Sequence, residues 1–488
     1  MMGKPNKVEP KLFYHGLSLD RRIPQDHPLR KVKKFIDFTF VRADVEGLYG
    51  KNGNESIDPA IILKLIFLLF YENVKSERAL ASQLPLRLDW LWFCDYDIDD
   101  ATPNHSVISK ARSRWGVDVF AGFFENILSQ CIEAGLVDGR IIHVDSSTID
   151  ANADKSKLRP KLELLGKQLY QKLDGQTNEQ PKLNPDKPGT KATVVDPDAR
   201  LLKRSGKTTL GYKDHRVIDD NHGIITVTKT TAAHIHDDKV FTEVVEEHIE
   251  NTGIKPGRVV ADKGYGYIEN YSYLCNKGIL PCIPHKDFDV NKRGKISKSE
   301  FTYNHHSDCY VCPAGQQLHR YDHHRPYQNN SYRYRAKHDV CRQCRLFDKC
   351  VSSKTFGRQV TRNIDTEYVD WADRCLSNYE RRRLLGRRRY IAEGSFADAS
   401  NNHGYKRARW RGLAKMQIQN LMIAAIQNLR KLLGYIGRGG TFEALRMTLS
   451  TNFIVVSARV CSRINRKVVT SGNINLFKSS SSFILGSL

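Results

Sequence analysis

The chain has 488 residues, more than the about 250–300 at which a single hydrophobic core stops growing, so we expect two or three domains. Hydrophobic residues make up 40% and charged residues 27%, a composition that argues against a mainly disordered chain. Lys and Arg number 77 against 54 Asp and Glu, and the net charge of +23 favours a polyanionic partner, nucleic acid first, over a basic surface that binds nothing.

Membrane insertion and secretion are not expected. The longest apolar run, residues 61–70, contains Lys64 and is shorter than the ~20 residues of a membrane-spanning helix. The first lysines are not followed by the apolar segment of a secretory signal. We therefore expect a cytoplasmic protein, and in that reducing compartment the 11 cysteines are better explained as thiols or metal ligands than as disulfides.

Residues 1–116 are predicted to form a helical domain. Asp58-Pro59 predicts a helix start, Ser76 a helix cap, and Thr102-Pro103 a third start. This domain could be a helix-turn-helix-like DNA reader, or equally a helical cap or dimerisation element whose basic residues only face solvent. The basic residues in question are Arg87, Lys110, Arg112 and Arg114.

Residues 117–284 are predicted to form the first part of a catalytic core. A short apolar run at residues 141–144 predicts a buried strand that ends on Asp145. Residues 151–197, rich in Lys and Pro, predict a long exposed connection with one helix near residues 162–173.

The second half of this segment continues the α/β pattern. A β-hairpin turning at residues 220–223 is predicted first, then a helix from about residue 237 that stops at Gly253. A second buried strand ends on Asp262, and another helix and strand follow. This order predicts a mixed α/β sheet flanked by helices.

The remaining segments are less regular. Residues 285–375 are polar, aromatic and Cys-rich, which predicts an insertion, and residues 376–434 are predicted to complete the core and to carry Glu393. Within the latter an amphipathic helix is expected over residues 413–433. Its apolar face would carry Leu421, Ala425, Leu429 and Leu432. We assign no role to the tail, residues 435–488.

Two carboxylates follow apolar strands directly. A charged group at such a place is costly to bury and is typical of a cation site or proton chemistry, so Asp145 and Asp262 are candidate functional residues. A single aspartate at a strand end is more often a turn former or helix cap.

A third carboxylate, Glu393, lies on a predicted helix dense with arginine. Arg389 stands one helical turn before it, so an ordinary ion pair would explain the spacing. The alternative is that Glu393 binds a metal ion while the arginines contact DNA phosphates. Three carboxylates can hold two hard cations ~4 Å apart, which activate the attacking oxygen and stabilise the leaving oxygen in phosphodiester cleavage. Oxygen ligands favour Mg²⁺, with Mn²⁺ as a substitute.

At these residues the sequence resembles the DDE transposases of bacterial insertion sequences. The matching segments are His143-Val144-Asp145-Ser146-Ser147-Thr148, Val259-Val260-Ala261-Asp262-Lys263-Gly264-Tyr265, Glu393-Gly394-Ser395-Phe396, Gly211-Tyr212-Lys213, His236-Asp237, His403-Gly404-Tyr405 and Arg409-Trp410-Arg411-Gly412. The resemblance runs over most of the chain and implies a ribonuclease H-like catalytic core.

The resemblance also implies an activity. Asp145, Asp262 and Glu393 would be the catalytic and metal-binding triad of an enzyme that nicks DNA at the ends of its element. The freed 3′-hydroxyl would then attack target DNA. The expected partners are double-stranded DNA at the element ends and the target, with a homodimer or higher oligomer on DNA, in the nucleoid of a bacterial cell.

Related enzymes often place a Tyr, an Arg and a Lys at set distances from the glutamate. Arg389 fits the Arg position, whereas Gly386 and Ser400 stand at the Tyr and Lys positions, so a route through a hairpin end is not carried over. Lys406 or Arg409 is expected to supply the phosphate contact instead. The expected DNA-binding residues are Arg389, Lys406, Arg409 and Arg411.

The Cys-rich insertion has the spacing of a zinc site. Two pairs of cysteines separated by two residues, with one further cysteine, can supply four thiolates to a tetrahedral ion. The resemblance favours Cys312, Cys341, Cys344 and Cys350, with Cys309 as the alternative ligand. Unliganded thiols are the other interpretation.

Two further classes of protein fit parts of the sequence. One is a catalytically inactive DNA-binding protein derived from a transposase, and the other is a structural zinc-ribbon adaptor. Because all three carboxylates stand in their expected segments, the enzyme is favoured.

Overall fold

A computed structural model of the chain describes residues 2, 18–50, 52, 54–154, 158–160, 191–193, 195–204, 206–285, 296–321, 331–351 and 357–438. The predicted helix near residues 162–173 and the tail beyond residue 438 lie outside these residues. Among the helices within them, none is both long enough and apolar enough to cross a bilayer.

The N-terminal region is helical, as expected. Its helices are α1 Leu19–Arg22, α2 Pro28–Phe35, α3 Val41–Val45, α4 Pro59–Tyr71, α5 Glu77–Gln83, α6 Leu88–Phe93, α7 His105–Trp115 and α8 Asp118–Glu133. The side chains of Asp58 and Ser76 cap α4 and α5, which confirms both predicted starts. The third helix starts slightly later than predicted, because Asn104 rather than Thr102 accepts the first free N–H groups.

The central sheet is mixed. Its strands are β1 Ile141–Asp150, β4 Arg200–Arg204, β5 Lys207–Asp219, β6 Ile225–Ala232, β7 Arg258–Ala261 and β8 Leu280–Cys282, while β2 Leu158–Pro160 and β3 Lys191–Thr193 pair with each other. β5 runs antiparallel to β1, and β4 and β6 run antiparallel to β5. β7 is parallel to β1, and β8 is parallel to β7.

Two helices connect the parallel strands. α9 Asp238–Thr252 leads into β7 and ends at Gly253, whose φ of 72° is a left-handed conformation that glycine adopts without strain. α10 Ile268–Lys277 joins β7 to β8. The mixed sheet, its flanking helices and the helical N-terminal region confirm the expected α/β fold class.

The predicted end of the first strand was wrong. β1 does not stop at Asp145, because its antiparallel pairing with β5 continues to Asp150. Only the parallel pairing with β7 ends there, at Val144 opposite Ala261.

The Cys-rich segment forms a separate five-stranded antiparallel sheet. Its strands are β9 Thr302–Asn304, β10 Cys309–Val311, β11 Gln317–Arg320, β12 Ser331–Arg335 and β13 Gln359–Asn363, accompanied by the short helices α11 His338–Arg342 and α12 Phe347–Cys350. A small hydrophobic core that includes Tyr310, Leu318 and Tyr334 holds this sheet together.

The chain then returns to the central sheet as a series of helices. They are α13 Thr366–Arg374, α14 Asn378–Arg388, a π-helical segment Arg389–Glu393, α15 Gly394–His403 and α16 Leu413–Ile436. The predicted apolar face of α16 is buried: Leu421 is 5% exposed, and Ala425, Leu429 and Leu432 are not exposed at all.

One hydrophobic core joins the N-terminal helices to the core helices. The residues of α4, α8, α15 and α16 belong to the same buried cluster. In α4 every residue from Pro59 to Phe70 is buried, including Lys64, whose ammonium group pairs with Asp95. The N-terminal region therefore packs as a cap on the helices that carry the third carboxylate.

Candidate active site

The strand register brings the two aspartates together. β1 and β7 are parallel neighbours whose last paired residues are Val144 and Ala261. Asp145 is the next residue of β1 and Asp262 is the first residue after β7, so the two residues are neighbours where the pairing of these strands ends.

The glutamate reaches the same place from the helical side. A cavity of about 360 Å³ is lined by residues from β1, from the loop after β7 and from the helices around Glu393. These residues are Asp145, Ser146, Ser147, Asp262, Arg388, Glu393, Phe396, Ala397, Ser400 and Lys406. All three carboxylates predicted from the sequence thus face one cavity.

Arg388, one residue before the expected DNA-binding residue Arg389, lines this cavity. Its Nη1 lies 2.7 Å from Asp145 Oδ2, and its Nη2 lies 4.0 Å from Glu393 Oε1. Arg389 is exposed. The reason is the π-helical segment at Arg389–Glu393, whose wider turns bring residues five apart onto one face, whereas an α-helix would have aligned Arg389 with Glu393.

The cavity perturbs the ionisation of Asp145. Burial raises the pKa of this carboxyl group to about 6. The Arg388 charge and the Ser146 N–H oppose the rise, and the negative charges of Asp262 and Glu393 add to it. The two other carboxylates are therefore near enough to act on Asp145 electrostatically.

Asp262 is held by the turn that follows β7. Its Oδ1 accepts a hydrogen bond of 2.8 Å from the Gly264 N–H and so caps a short 3₁₀ helix, Lys263–Tyr265. A Cβ at residue 264 would lie 2.8 Å from Asp262 Oδ1, so a larger residue there would push this carboxylate oxygen out of its position.

A fourth carboxylate, Asp237, lies behind the two aspartates. Its Oδ1 accepts hydrogen bonds of 3.0 Å from Ser146 Oγ and 3.0 Å from Lys213 Nζ. The structure therefore links Gly211-Tyr212-Lys213 and His236-Asp237, two segments of the sequence resemblance, to the residue after Asp145.

A buried polar network fixes the helix of Glu393 to the sheet. Arg216 lies opposite Asp145 in the register of β5 and β1. It is completely buried, and its Nε donates a hydrogen bond to Asp214 Oδ2 at 2.8 Å. Its Nη1 donates to Ser395 Oγ and to Gln427 Oε1, each at 2.9 Å. This network could not be predicted from the sequence, because a charged residue inside a strand usually indicates a solvent-facing position.

The four basic residues proposed to bind DNA have different surroundings. Lys406 lines the cavity, and its Nζ donates to Ser147 Oγ at 2.8 Å. Arg389 and Arg411 are exposed. Arg409 instead donates to Leu69 O at 2.7 Å and to His403 O at 2.9 Å. Its guanidinium ties α15 to α4, so this geometry gives no support to a phosphate contact.

Two of the basic residues named for an N-terminal DNA reader are also engaged within the protein. Arg112 is 3% exposed, pairs with Glu77 at 2.9 Å and stacks on Trp410. Arg87 pairs with Asp89 at 2.6 Å. These contacts favour the alternative of a helical cap.

Four cysteines of the small sheet surround a second, narrow cavity of about 30 Å³. They are Cys312, Cys341, Cys344 and Cys350. Burial, with the three other thiols adding to it, raises the pKa of the Cys350 thiol. Cys309 is buried elsewhere, with Ser307 Oγ 3.1 Å from its sulfur.

Neither cavity is arranged as a metal site in this structure. Within the described residues, no group of three or more His, Cys, Asp or Glu side chains has the geometry to hold an ion. At the first cavity the donors are the hard oxygens that Mg²⁺ and Mn²⁺ prefer, and at the second they are soft sulfurs that suit zinc. The chemistry of both donor sets fits the expected ions.

Comparison with known proteins identifies the class. Residues 17–114 match the family described as "Transposase domain (DUF772)", and residues 311–433, which include Glu393, match the family described as "Transposase DDE domain". Asp145 and Asp262 lie outside both matches. This mixed α/β protein, with carboxylates around one cavity, thus carries two segments that match transposase domains. The second of them matches a DDE domain.

More distant comparisons add little. No curated protein matches the chain. Among solved structures, it is similar to a piggyBac transposase synaptic complex with hairpin DNA, at 10% identity and a TM-score of 0.32 over 93% of this chain and 86% of that one. It is also similar to the Mos1 strand transfer complex, at 10% identity and a TM-score of 0.16 over 73% and 80% of the two chains. Similarity at this level does not establish a shared fold.

Proposed function

We propose that the protein binds the ends of its insertion sequence and catalyses metal-dependent DNA cleavage and strand transfer, with Asp145, Asp262 and Glu393 as the metal-binding and catalytic residues. Water attacks the phosphorus at an element end, the bond to the 3′ oxygen breaks, and a 3′-hydroxyl and a 5′-phosphate result. The 3′-hydroxyl then attacks a phosphodiester of the target, forms a new ester bond and releases a target 3′-hydroxyl.

The observation that carries this proposal is the convergence of three carboxylates, from β1, the loop after β7 and the π-helical segment, on one cavity. These segments are far apart in sequence, and mutual repulsion makes such a cluster costly unless cations neutralise it. We propose that the carboxylates hold two divalent ions, Mg²⁺ or Mn²⁺. These ions would activate the attacking oxygen and stabilise the leaving oxygen.

The surface beside the cavity suits DNA. The side chains of Arg382, Arg383 and Arg389 are exposed on α14 and on the π-helical segment that ends at Glu393. Tyr390 is 83% exposed in the same segment, a large aromatic group that can pack against sugar or base. With Lys406 inside the cavity, these groups supply phosphate contacts that lead to the carboxylates. Arg411 would extend the same surface.

The test is cleavage of a plasmid carrying the DNA that flanks the gene, with Mg²⁺. We expect Asp145→Asn to abolish nicking and to leave DNA binding intact, because the amide keeps the shape of the side chain but loses the ligand charge. Glu269→Gln is the matched control, since Glu269 is exposed on α10, outside the cavity, and it should cleave as the wild type does. Full cleavage by Asp145→Asn would remove Asp145 from the site.

The same assay separates the enzyme from its main alternative. A wild-type protein that binds these ends but never nicks them, in Mg²⁺ or Mn²⁺, would be a catalytically inactive DNA-binding protein. We also propose that the working form is a homodimer or higher oligomer on DNA in the cytoplasm, because two ends must be held together. Light scattering that finds one protomer per end pair would contradict this stoichiometry.

The cysteine cluster supports a structural zinc ion. Backbone N–H groups point at its sulfurs, with Gln316 N 3.3 Å from Cys312 Sγ and Leu346 N 3.4 Å from Cys344 Sγ, contacts that stabilise thiolates. We expect about one zinc per purified chain, retained in Cys309→Ser and lost in Cys344→Ser. Wild-type protein with less than about half an equivalent of zinc would favour unliganded thiols.

A further inference from the structure

Both oxygens of Asp145 are already engaged by the protein. Oδ1 accepts a hydrogen bond of 2.9 Å from the Ser146 N–H, and Oδ2 accepts one of 2.7 Å from Arg388 Nη1. The Asp145 side chain is 13% exposed and that of Arg388 is 11% exposed, so solvent screens this ion pair only weakly. A cation that approaches Oδ2 therefore meets a guanidinium that already occupies the position.

The helix that carries Arg388 is fixed in place on both sides of it. One residue earlier, Arg387 Nε donates to Asp220 Oδ1 at 2.5 Å and ties α14 to the turn after β5. One residue later the π-helical segment begins and turns Arg388 toward the cavity. The backbone at Arg388 is thus anchored, while the side chain has the rotamer freedom to leave Asp145.

The displaced guanidinium would not need to leave the cavity. Arg388 lines it together with Lys406, and the buried Nε of Arg388 has no hydrogen-bond acceptor among the described residues. A DNA phosphate in the cavity would present acceptor oxygens to this fork of donors.

We propose that Arg388 is a built-in counter-ion that competes with divalent cations for Asp145 and passes to a DNA phosphate when a cation binds. This inference rests on the proposed function of the three carboxylates. In the cation-free protein Arg388 offsets part of their mutual repulsion. Because DNA would draw Arg388 away from Asp145, DNA and metal binding become mutually favourable, and thermodynamic linkage makes the effect reciprocal.

The test is Mn²⁺ binding to the full chain at about pH 8, where carboxyl groups are ionised. Binding is measured as the decrease in the electron paramagnetic resonance signal of free Mn²⁺. We expect Arg388→Gln to bind Mn²⁺ about fivefold more tightly than the wild type, equivalent to about 1 kcal/mol. Arg374→Gln, which changes an exposed arginine on α13 that does not line the cavity, should match the wild type. An unchanged or weaker affinity in Arg388→Gln would overturn the inference.

A DNA duplex with the flanking sequence provides a second measurement. We expect it to tighten Mn²⁺ binding by the wild type and to have a smaller effect on Arg388→Gln; equal effects on both would contradict the inference. Asp262→Asn separates the proposed metal site of the three carboxylates from the proposed role of Arg388. If Asp262→Asn binds Mn²⁺ as the wild type does, the carboxylate site itself is wrong. If its binding is lost but Arg388→Gln is unchanged, only the role of Arg388 fails.

Discussion

Replacing Arg216 by methionine tests how the fold holds its carboxylates in position. Arg216 and Asp214 are both completely buried, and their ion pair lies between β5 and the helices α15 and α16. Methionine is similar in length but has no donor. The substitution would leave the Asp214 carboxylate buried, with Thr228 Oγ1 at 2.6 Å and Tyr405 OH at 3.1 Å as its remaining donors.

The expected loss is large. Removing one partner of a buried ion pair costs about 3–5 kcal/mol, because the other charge remains without compensation. The matched control is Arg430→Met on α16, whose pair with Asp398 is 47% and 36% exposed; such a surface pair contributes about 0–1 kcal/mol. The double variant Asp214→Asn/Arg216→Met removes both charges and should recover to within about 2 kcal/mol of the wild type.

The assay is urea denaturation followed by tryptophan fluorescence, with the free energy of unfolding compared among the four proteins. The order predicted is wild type, then Arg430→Met, then the double variant, with Arg216→Met least stable. If Arg216→Met loses no more than Arg430→Met, the buried network does not hold the helix of Glu393 on the sheet.

Three further substitutions probe other parts of the structure. Burial lowers the pKa of His248 to about 4, so at pH 5 this side chain is protonated in the unfolded chain but not in the folded one. The wild type should therefore lose about 2 kcal/mol of stability through His248 between pH 7 and pH 5. His248→Gln should not show this loss when the free energy of unfolding is measured in urea at both pH values. Gly264→Ala would crowd Asp262 Oδ1 and should lower the cleavage rate at least about tenfold with the fold intact by circular dichroism, whereas wild-type cleavage would show that this turn tolerates a side chain. Gly386 lies on α14, and a Cβ added there would meet no atom within 4 Å, so Gly386→Ala should stabilise the protein by about 0.5–1 kcal/mol in thermal denaturation; a lower melting temperature would contradict this.

The elements of the core could be predicted because their signals are local. The caps at Asp58 and Ser76, the hairpin before β6 and the stop at Gly253 each depend on residues within a few positions. The two aspartates could be found for a similar reason, since each follows an apolar run. The two aspartates meet because β1 and β7 pair in parallel and this pairing ends directly before both residues.

The remaining features depend on contacts that one sequence does not display. A regular α-helix would align Arg389 with Glu393, as the spacing suggested, but the π-helical segment places Arg388 at the cavity. Arg112 and Arg409 were considered as DNA contacts because the sequence does not distinguish a buried arginine from an exposed one. Their partners within the protein are determined by tertiary packing. The buried ion pair of Asp214 and Arg216 could not be predicted for the same reason.

The most direct test of the central claim is a crystal structure of the full chain grown with Mn²⁺ and examined by anomalous scattering. We expect manganese in the cavity, with oxygens of Asp145, Asp262 and Glu393 at about 2.0–2.6 Å and with the Arg388 side chain moved away from Asp145. Manganese absent from the cavity, or bound there without Glu393, would contradict it.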